Sequence, residues 1–194
     1  MKLSKDNQHL FTIWCRARQG AVIPTLPSSL IVENWWIGKH VCLQFLAPDK
    51  KIRFVWAGGE VEKVLGCDLP GKEVTSIFAS QEQDALADMQ QWKFTNPVVI
   101  QSHCTVTTDA GSMVQFEFLH MPFINHPTGD LLYAVGCCEW TGTGTQESLR
   151  NGMAERQMLT RTLHHVKTLE PVATPYTIPA PASIPDVAKA VAYA

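Results

Sequence analysis

Seven histidines make metal or haem binding the first chemistry to consider in this 194-residue chain. His164 and His165 are neighbours in a segment that the apolar spacing predicts to be helical, so their side chains point to different sides and cannot easily hold one ion. His103 and His120 fall on predicted neighbouring strands and are the first candidates for a metal or haem ligand there. We predict that the protein carries no tightly bound metal or haem, and the sequence leaves any other cofactor unknown.

The six cysteines are the second group of reactive residues. They form no Cys-x-x-Cys pair, and adjacent cysteines are poorly placed to bridge each other. We expect most of them to be reduced and buried as small apolar residues, with a thiol that senses oxidants or holds a ligand as the alternative. The cysteines are Cys15, Cys42, Cys67, Cys104, Cys137 and Cys138.

Catalytic motifs are not found in the sequence. Gly142 and Gly144 lack the third glycine and the βαβ context of a dinucleotide site. Neither a Gly-x-Ser-x-Gly nor a His-Glu-x-x-His motif occurs. Glu117 and His120 are three residues apart on one predicted strand, so they point to opposite faces and cannot act as an acid–base pair. We predict that the protein is not an enzyme.

Composition and charge limit the partners. A formal net charge of −2 indicates neither a nucleic-acid surface nor a membrane-adsorbed one. No apolar run approaches the roughly 18 residues of a membrane span, and the first residues lack the pattern of a secretory signal. We therefore expect a cytoplasmic protein that binds neither nucleic acid nor membrane.

The spacing of apolar residues predicts an α+β domain. Short connections between strands favour antiparallel neighbours, and helices fall between the second and third strands. The expected result is a five-stranded antiparallel sheet with helices gathered on one face. The predicted strands are residues 41–46, 52–57, 98–107, 113–123 and 131–140.

Segments on either side of this sheet complete the predicted organisation. Residues 1–40 are expected to form a helical flank packed on the domain, with a helix at 7–19 capped by Asp6 or Asn7. The domain itself spans residues 41–141. A hinge and a C-terminal helix take up residues 142–170, and the Pro- and Ala-rich residues 171–194 are expected to be disordered.

Five motifs follow one another along the chain. They are a helix with Trp14, Arg16 and Arg18, then Gly20 and Ile23-Pro24, the run Phe54-Val55-Trp56-Ala57-Gly58, the turn Gly66-x-x-Leu69-x-Gly71, and the late strand from Phe116 to Pro122. Together and in this order, they resemble a family of small bacterial PAS proteins common in alphaproteobacteria. The resemblance covers roughly residues 8–141.

The resemblance implies a signalling domain and limits its cofactors. Haem-binding PAS domains commonly take an axial histidine from the helix before the last three strands, and residues 73–93 contain no histidine. That segment also lacks the cysteine of a flavin photosensor. The usual haem arrangement and a flavin–cysteine photocycle are therefore not expected.

Two functions follow from the resemblance, and both remain open at this point. In one, the domain is an adaptor that recognises a partner kinase or regulator, or forms a homodimer, through apolar stripes on its flanking helices. In the other, it is a small-molecule sensor with a pocket between sheet and helices. The candidate interaction residues are Leu10, Phe11, Trp14, Leu159, Leu163 and Val166. The candidate pocket residues are Trp56, Trp92, Phe116, Phe118 and Trp140.

Overall fold

Seven strands and three α-helices make up the described part of the chain. The structure is a computed structural model that describes residues 1–27, 30, 38–77, 80–108, 113–141 and 153–172. The helices are α1 (Lys5–Arg18), α2 (Gly59–Leu65) and α3 (Ser80–Thr95), with a short 3-10 helix at Val74–Ile77. The strands are β1 (Val41–Leu46), β2 (Ile52–Ala57), β3 (Val98–Thr108), β4 (Met113–Ile124), β5 (Leu131–Thr141), β6 (Met153–His165) and β7 (Pro171–Val172).

All the strands belong to one antiparallel sheet with the order β2-β1-β5-β4-β3-β6-β7. The five strands expected from alternating apolar residues are confirmed, and so is the α+β class. β1 and β2 form a hairpin with a short connection, and so do β4 and β5. In the second hairpin, the Asn125 N–H donates to the Asp130 carbonyl and the Gly129 N–H to the Asn125 carbonyl.

The predicted C-terminal helix is wrong, because β6 and β7 occupy this part of the chain and extend the sheet to seven strands. β6 pairs with β3 from Val98, opposite His165, to Thr108, opposite Met153. The outer edge of β3 offers a row of unpaired backbone donors and acceptors, which a strand can use and a helix cannot. Threonines at positions 160 and 162 favour the extended form. The predicted hinge beyond Thr141 and the tail from residue 173 onward lie outside the described residues.

The two faces of the sheet carry separate apolar clusters. α2, the 3-10 helix and α3 cover one face, as expected for the helices between β2 and β3. α1, which belongs to the predicted N-terminal flank, covers the opposite face. The first cluster is centred on Cys42, Phe54, Val61, Leu65, Val74, Phe116, Phe118, Tyr133 and Val135. The second is centred on Leu10, Trp14, Val41, Leu43, Leu119, Met121, Phe123 and Ala134.

A bulge in β2 decides which face one aromatic side chain reaches. Leu43 lies opposite Trp56, but the next residue of β1, Gln44, lies opposite Phe54. Val55 is therefore an extra residue, and its side chain is half exposed. The extra residue turns Trp56 onto the face that α1 covers, while Phe54 stays on the other.

α1 lies close against the sheet. Leu10 and Trp14 are fully buried, and the Trp14 indole Nε1–H donates to the Pro122 carbonyl at 2.8 Å. Beneath the helix, β5 presents Gly136, where an added Cβ would lie 2.7 Å from a Leu10 methyl group. The absence of a side chain at Gly136 is what lets the helix approach the sheet this closely.

Candidate functional site

A small cavity lies between the sheet and the helices α2 and α3. Its volume is about 30 Å³, which is room for one or two water-sized groups. Most of the wall is apolar, and Gln44, Gln90 and His120 supply its polar corner. The lining residues are Cys42, Gln44, Phe54, Val61, Leu65, Val74, Ile77, Gln90, Phe118, His120 and Val135.

The fully buried Lys93 contacts two of the polar residues that line this cavity. The Lys93 Nζ donates to Gln44 Oε1 at 2.8 Å and lies 3.5 Å from His120 Nδ1. It also sits 4.6 Å from the centre of the Tyr133 ring and 5.5 Å from that of Phe94. Both of its hydrogen-bonding neighbours line the cavity, so the amine is one side chain removed from it.

Burial lowers the pKa of Lys93 from 10.5 to about 7. Among the described residues, Lys93 takes part in no ion pair with a carboxylate, and the loss of hydration is the largest influence on its pKa. The nearby charge of Arg161 lowers the pKa further, and Cys42 opposes the shift. Near neutral pH this side chain therefore exists partly as a neutral amine, which is a nucleophile.

Tyr133 fixes the end of α3 that carries this lysine. Its hydroxyl donates to the Lys93 carbonyl at 2.9 Å and accepts from the Val98 N–H at 3.2 Å. Burial raises the pKa of Tyr133, so the hydroxyl keeps its proton. The C-terminal turn of α3 and the start of β3 are thereby held to the centre of the sheet.

Stability should depend on pH through Lys93. Its pKa is lower in the folded protein than in the unfolded chain, so between about pH 7 and pH 10 the unfolded chain binds more protons and stability rises with pH. Lys93→Met, which removes the buried charge and keeps the length, should be more stable than wild type at pH 7. We expect that advantage to shrink by up to about 1.4 kcal/mol per pH unit above pH 7.

Urea denaturation of both proteins at pH 7, 8 and 9 measures this difference. The exposed Lys63→Met variant is the control, for which the difference from wild type should stay constant. A Lys93→Met difference that is also constant with pH would mean that Lys93 is not buried as a titrating group.

A second cavity, also of about 30 Å³, opens beside Lys50, Lys51 and Glu73. Gln90 lines both cavities and is the one residue they share. Its side chain is 3% exposed, and its Oε1 has no hydrogen-bond partner within the described part of the chain. Gln90 therefore forms the wall between the interior cavity and the outer one.

On the opposite face, a buried carboxylate anchors the N-terminal segment. Glu117 Oε2 accepts from the Ser4 N–H at 2.8 Å, the Ser4 hydroxyl at 2.6 Å and the Asn7 amide at 2.9 Å. Glu117 Oε1 accepts from the Gln101 amide at 2.6 Å and lies 3.5 Å from His103 Nε2. Asn7 was predicted as a helix cap, but it lies inside α1 and binds this carboxylate instead.

The predicted pocket residues do not all meet. Phe116 and Phe118 are buried on the cavity face, and Phe118 lines the cavity. Trp56 lies on the other face because of the bulge at Val55. Trp92 packs beside Val98, Ile100 and Leu163 and does not line the cavity. The side chain of Trp140 lies outside the described residues.

The predicted interaction residues are largely used within the domain. Leu10 and Trp14 are buried under α1, and Phe11 packs at its edge. Leu163 is buried beside β3, and Val166 packs into the cluster under α1. Leu159 is the extra residue of a bulge in β6, since His103 lies opposite Thr160 and Cys104 opposite Met158.

The histidines are spread over the fold. His164 lies on β6 and is buried, which corrects its predicted position on a helix. His120 faces the cavity while Glu117 faces α1, as their spacing predicted. In the described part of the chain, no group of three or more histidine, cysteine or acidic side chains is arranged to hold a metal ion.

The sequence prediction did not include Lys93 and Gln90 among the site residues, although their spacing on α3 indicates that they are buried. Lys93 follows Met89 by four residues and Leu86 by seven, and both lie in the buried stripe of α3. A lysine in the line of a helix's apolar positions indicates either a charge in the core or a functional amine. Gln90 follows Leu86 by four residues on the same stripe.

The comparison with protein families identifies the fold. A family model described as PAS domain matches residues 2–138. The chain belongs to the PAS domain family. The matched range includes α1, the strands β1 to β4 and most of β5, whereas β6 and β7 follow it. No curated protein sequence matches the chain.

Membership of the PAS family assigns the chain to domains with signalling or sensory roles, which are in general regulatory rather than catalytic. The interior cavity described above lies on the side of this sheet that α2 and α3 cover. None of the helices in the described residues is long and apolar enough to cross a membrane.

Proposed function

We propose that the protein is a cytoplasmic bacterial regulator that acts by binding other proteins, a second copy of itself among them, and has no catalytic output of its own. The observation that supports this most is the small size of the cavity between the sheet and the helices α2 and α3. As lined by the described residues, this cavity has a volume of about 30 Å³, far below the ~300 Å³ at which pockets for drug-sized ligands begin. A partner kinase or regulator is then recognised through the outer surface.

The contact surface in this proposal is the outer edge of β6. β7 pairs with β6 only at Leu163 and His164, so among the described strands nothing pairs with this edge over residues 153–162. An unpaired strand edge is a template for the addition of another strand. Two copies of β6 laid antiparallel along this edge join the two sheets through backbone hydrogen bonds, which favours a homodimer.

We expect Thr162→Lys to weaken the homodimer at least tenfold. Thr162 is exposed on β6, and a lysine on an edge strand opposes strand addition. Light scattering after size exclusion, over a range of concentrations, measures the dissociation. Gln8→Lys adds the same charge at an exposed position of α1 and is the matched control. A wild-type protein that stays monomeric at high concentration, or equal dimers in both variants, contradicts the proposed contact.

A second candidate function, a small-molecule sensor, is favoured by the polar corner of the cavity. The buried Gln90 Oε1 lacks a partner within the described residues, and Gln90 lines the cavity together with Gln44, which contacts Lys93. Buried polar atoms are normally paired, so this acceptor suits a small ligand with a donor group. Native mass spectrometry and the absorption spectrum of the purified protein test both functions, because they show the dimer and any retained ligand or chromophore.

A further inference from the structure

We propose that α1 exchanges between two copies of the chain, so that the helix of each copy packs on the sheet of the other. This inference rests on the proposed binding of the protein to a second copy of itself, and it adds a contact to which each copy contributes half. The outer edge of β6 joins two folded copies reversibly, whereas exchange of α1 links them through side chains that are buried in the single copy.

The surface under α1 fits that helix closely. The Asn7 amide donates to Glu117 Oε2 at 2.9 Å, and the Trp14 indole donates to the Pro122 carbonyl at 2.8 Å. Gly136 supplies the space beneath the helix, because a Cβ there would meet it. The helix of a second copy carries the same side chains in the same order, so it fits this surface without any new complementarity. A second copy is therefore the partner that the surface selects.

The sheet keeps its other apolar cluster when α1 leaves. That cluster lies on the opposite face, under α2 and α3. The face that α1 covers presents Leu119, Met121 and Phe123, all of which are fully buried. Once uncovered, such a face is an apolar patch that takes up another helix. Detachment of α1 in the presence of a second copy therefore leads to exchange.

Residues 19–23 form a short connector between α1 and a fixed point on the sheet. Beyond this connector, the Ile124 N–H donates to the Pro24 carbonyl and the Leu26 N–H donates to the Ile124 carbonyl, both at 2.9 Å. The connector can extend while these bonds remain, and five extended residues span about 17 Å. α1 can thus move away from its own sheet while the chain after it stays in place.

The backbone of the connector is strained when α1 packs on its own sheet. Gln19 has a φ of 44° and Gly20 a φ of 93°, and this left-handed region is unfavourable for a residue with a Cβ. In an exchanged dimer the other contacts of α1 are the same, and the connector is the part that changes. Short connectors under strain favour exchange. The conformation at Gln19 and Gly20 therefore sets the balance between the closed single copy and the exchanged dimer.

Gly20→Val tests this balance, because a Cβ at position 20 meets no atom within 4 Å and valine resists a positive φ. Light scattering after size exclusion, on samples diluted after incubation at high concentration, measures the dimer that persists. We expect the ratio of persistent dimer to monomer to be at least tenfold larger than in wild type. Gly59→Val is the matched control, since a Cβ there also meets no atom within 4 Å and its φ is not positive. Equal ratios in the two variants overturn the inference.

A disulfide trap shows which copy supplies the helix. The Asn7 Cγ, whose place a cysteine sulfur would take, lies 3.3 Å from a Cβ at position 136, so Asn7→Cys and Gly136→Cys can form a bridge. All proteins carry Cys15→Ser, which removes an exposed thiol. After mild oxidation, we expect a mixture of the two single variants to give a disulfide between positions 7 and 136 of different chains, located by peptide mass mapping. The variant with both substitutions in one chain is the control and should close the bridge within that chain.

Thr162→Lys, added to these proteins, separates the exchange from the β6 contact. It should weaken the reversible dimer and leave the disulfide between chains. If the double variant closes its bridge while the mixture forms none, the exchange of α1 is excluded. A reversible dimer of the wild type would then still support the β6 contact, so only the exchange fails. If Gly136→Cys does not fold or the double variant does not close, the comparison of Gly20→Val with Gly59→Val decides alone.

Discussion

Replacing Glu117 by alanine should lower the free energy of unfolding by about 3 kcal/mol, one of the two largest effects we expect. The carboxylate is fully buried and accepts hydrogen bonds from Ser4, Asn7 and Gln101. Its removal takes the acceptor from the Ser4 N–H and hydroxyl, and leaves the Asn7 and Gln101 amides with only their bonds to the Glu117 and Lys2 carbonyls. Urea denaturation followed by circular dichroism gives the free energy, and tryptophan fluorescence reports the position of Trp14.

The controls separate a buried anchor from an ordinary surface charge. Ser4→Ala removes the hydroxyl donor and keeps the backbone donor, so a loss of about 1 kcal/mol is expected. Glu73→Ala breaks an exposed pair with Lys51 and should cost at most about 1 kcal/mol. If Glu117→Ala were no more destabilising than Glu73→Ala, the N-terminal segment would not be anchored at Glu117.

The second large effect is expected for Gly58→Val, at about 3–5 kcal/mol. Gly58 has an ordinary extended backbone, so a conformational preference is not the reason. A Cβ at this position would lie 2.5 Å from the Lys39 carbonyl oxygen and still closer to that of Gly38. Both obstacles are backbone atoms, and the Lys39 carbonyl already accepts the Glu60 N–H. Removing the overlap between the valine side chain and these carbonyl oxygens would require the start of α2 to move.

Thermal unfolding of Gly58→Val and Gly59→Val provides the comparison. Gly59 is the next residue in the chain, and a Cβ there meets no atom within 4 Å. It should therefore cost no more than about 1 kcal/mol, because valine meets no obstacle there and has a higher helix propensity than glycine. Equal melting temperatures for the two variants would show that the chain before β1 does not pass against Gly58.

The alternation of apolar residues predicted the first five strands because each of them has one face on a packed cluster. The same reasoning failed for β6, where leucines at positions 159, 163 and 169 suggested helical spacing. What decides β6 is the unpaired edge of β3, about fifty residues earlier in the chain, and a local pattern carries no information about it. Tertiary context overrides a weak propensity here.

The site was predicted less well than the fold, for two physical reasons. A single extra residue at Val55 reverses the side of the sheet on which Trp56 lies, and periodicity alone cannot place such a bulge. Lys93 was overlooked because lysines are almost always exposed. Its position on the buried stripe of α3 was nonetheless visible in the spacing from Leu86 and Met89.

The late position of β6 in the chain has a consequence for synthesis on the ribosome. The β4–β5 hairpin closes locally, but β3 pairs with residues that are translated 45 to 67 positions later. A nascent chain that has completed β5 therefore exposes the edge of β3 until β6 leaves the exit tunnel. Exposed strand edges in slowly closing intermediates favour association between chains. Trigger-factor-like chaperones that cover nascent strands should accordingly raise the yield of soluble protein during translation.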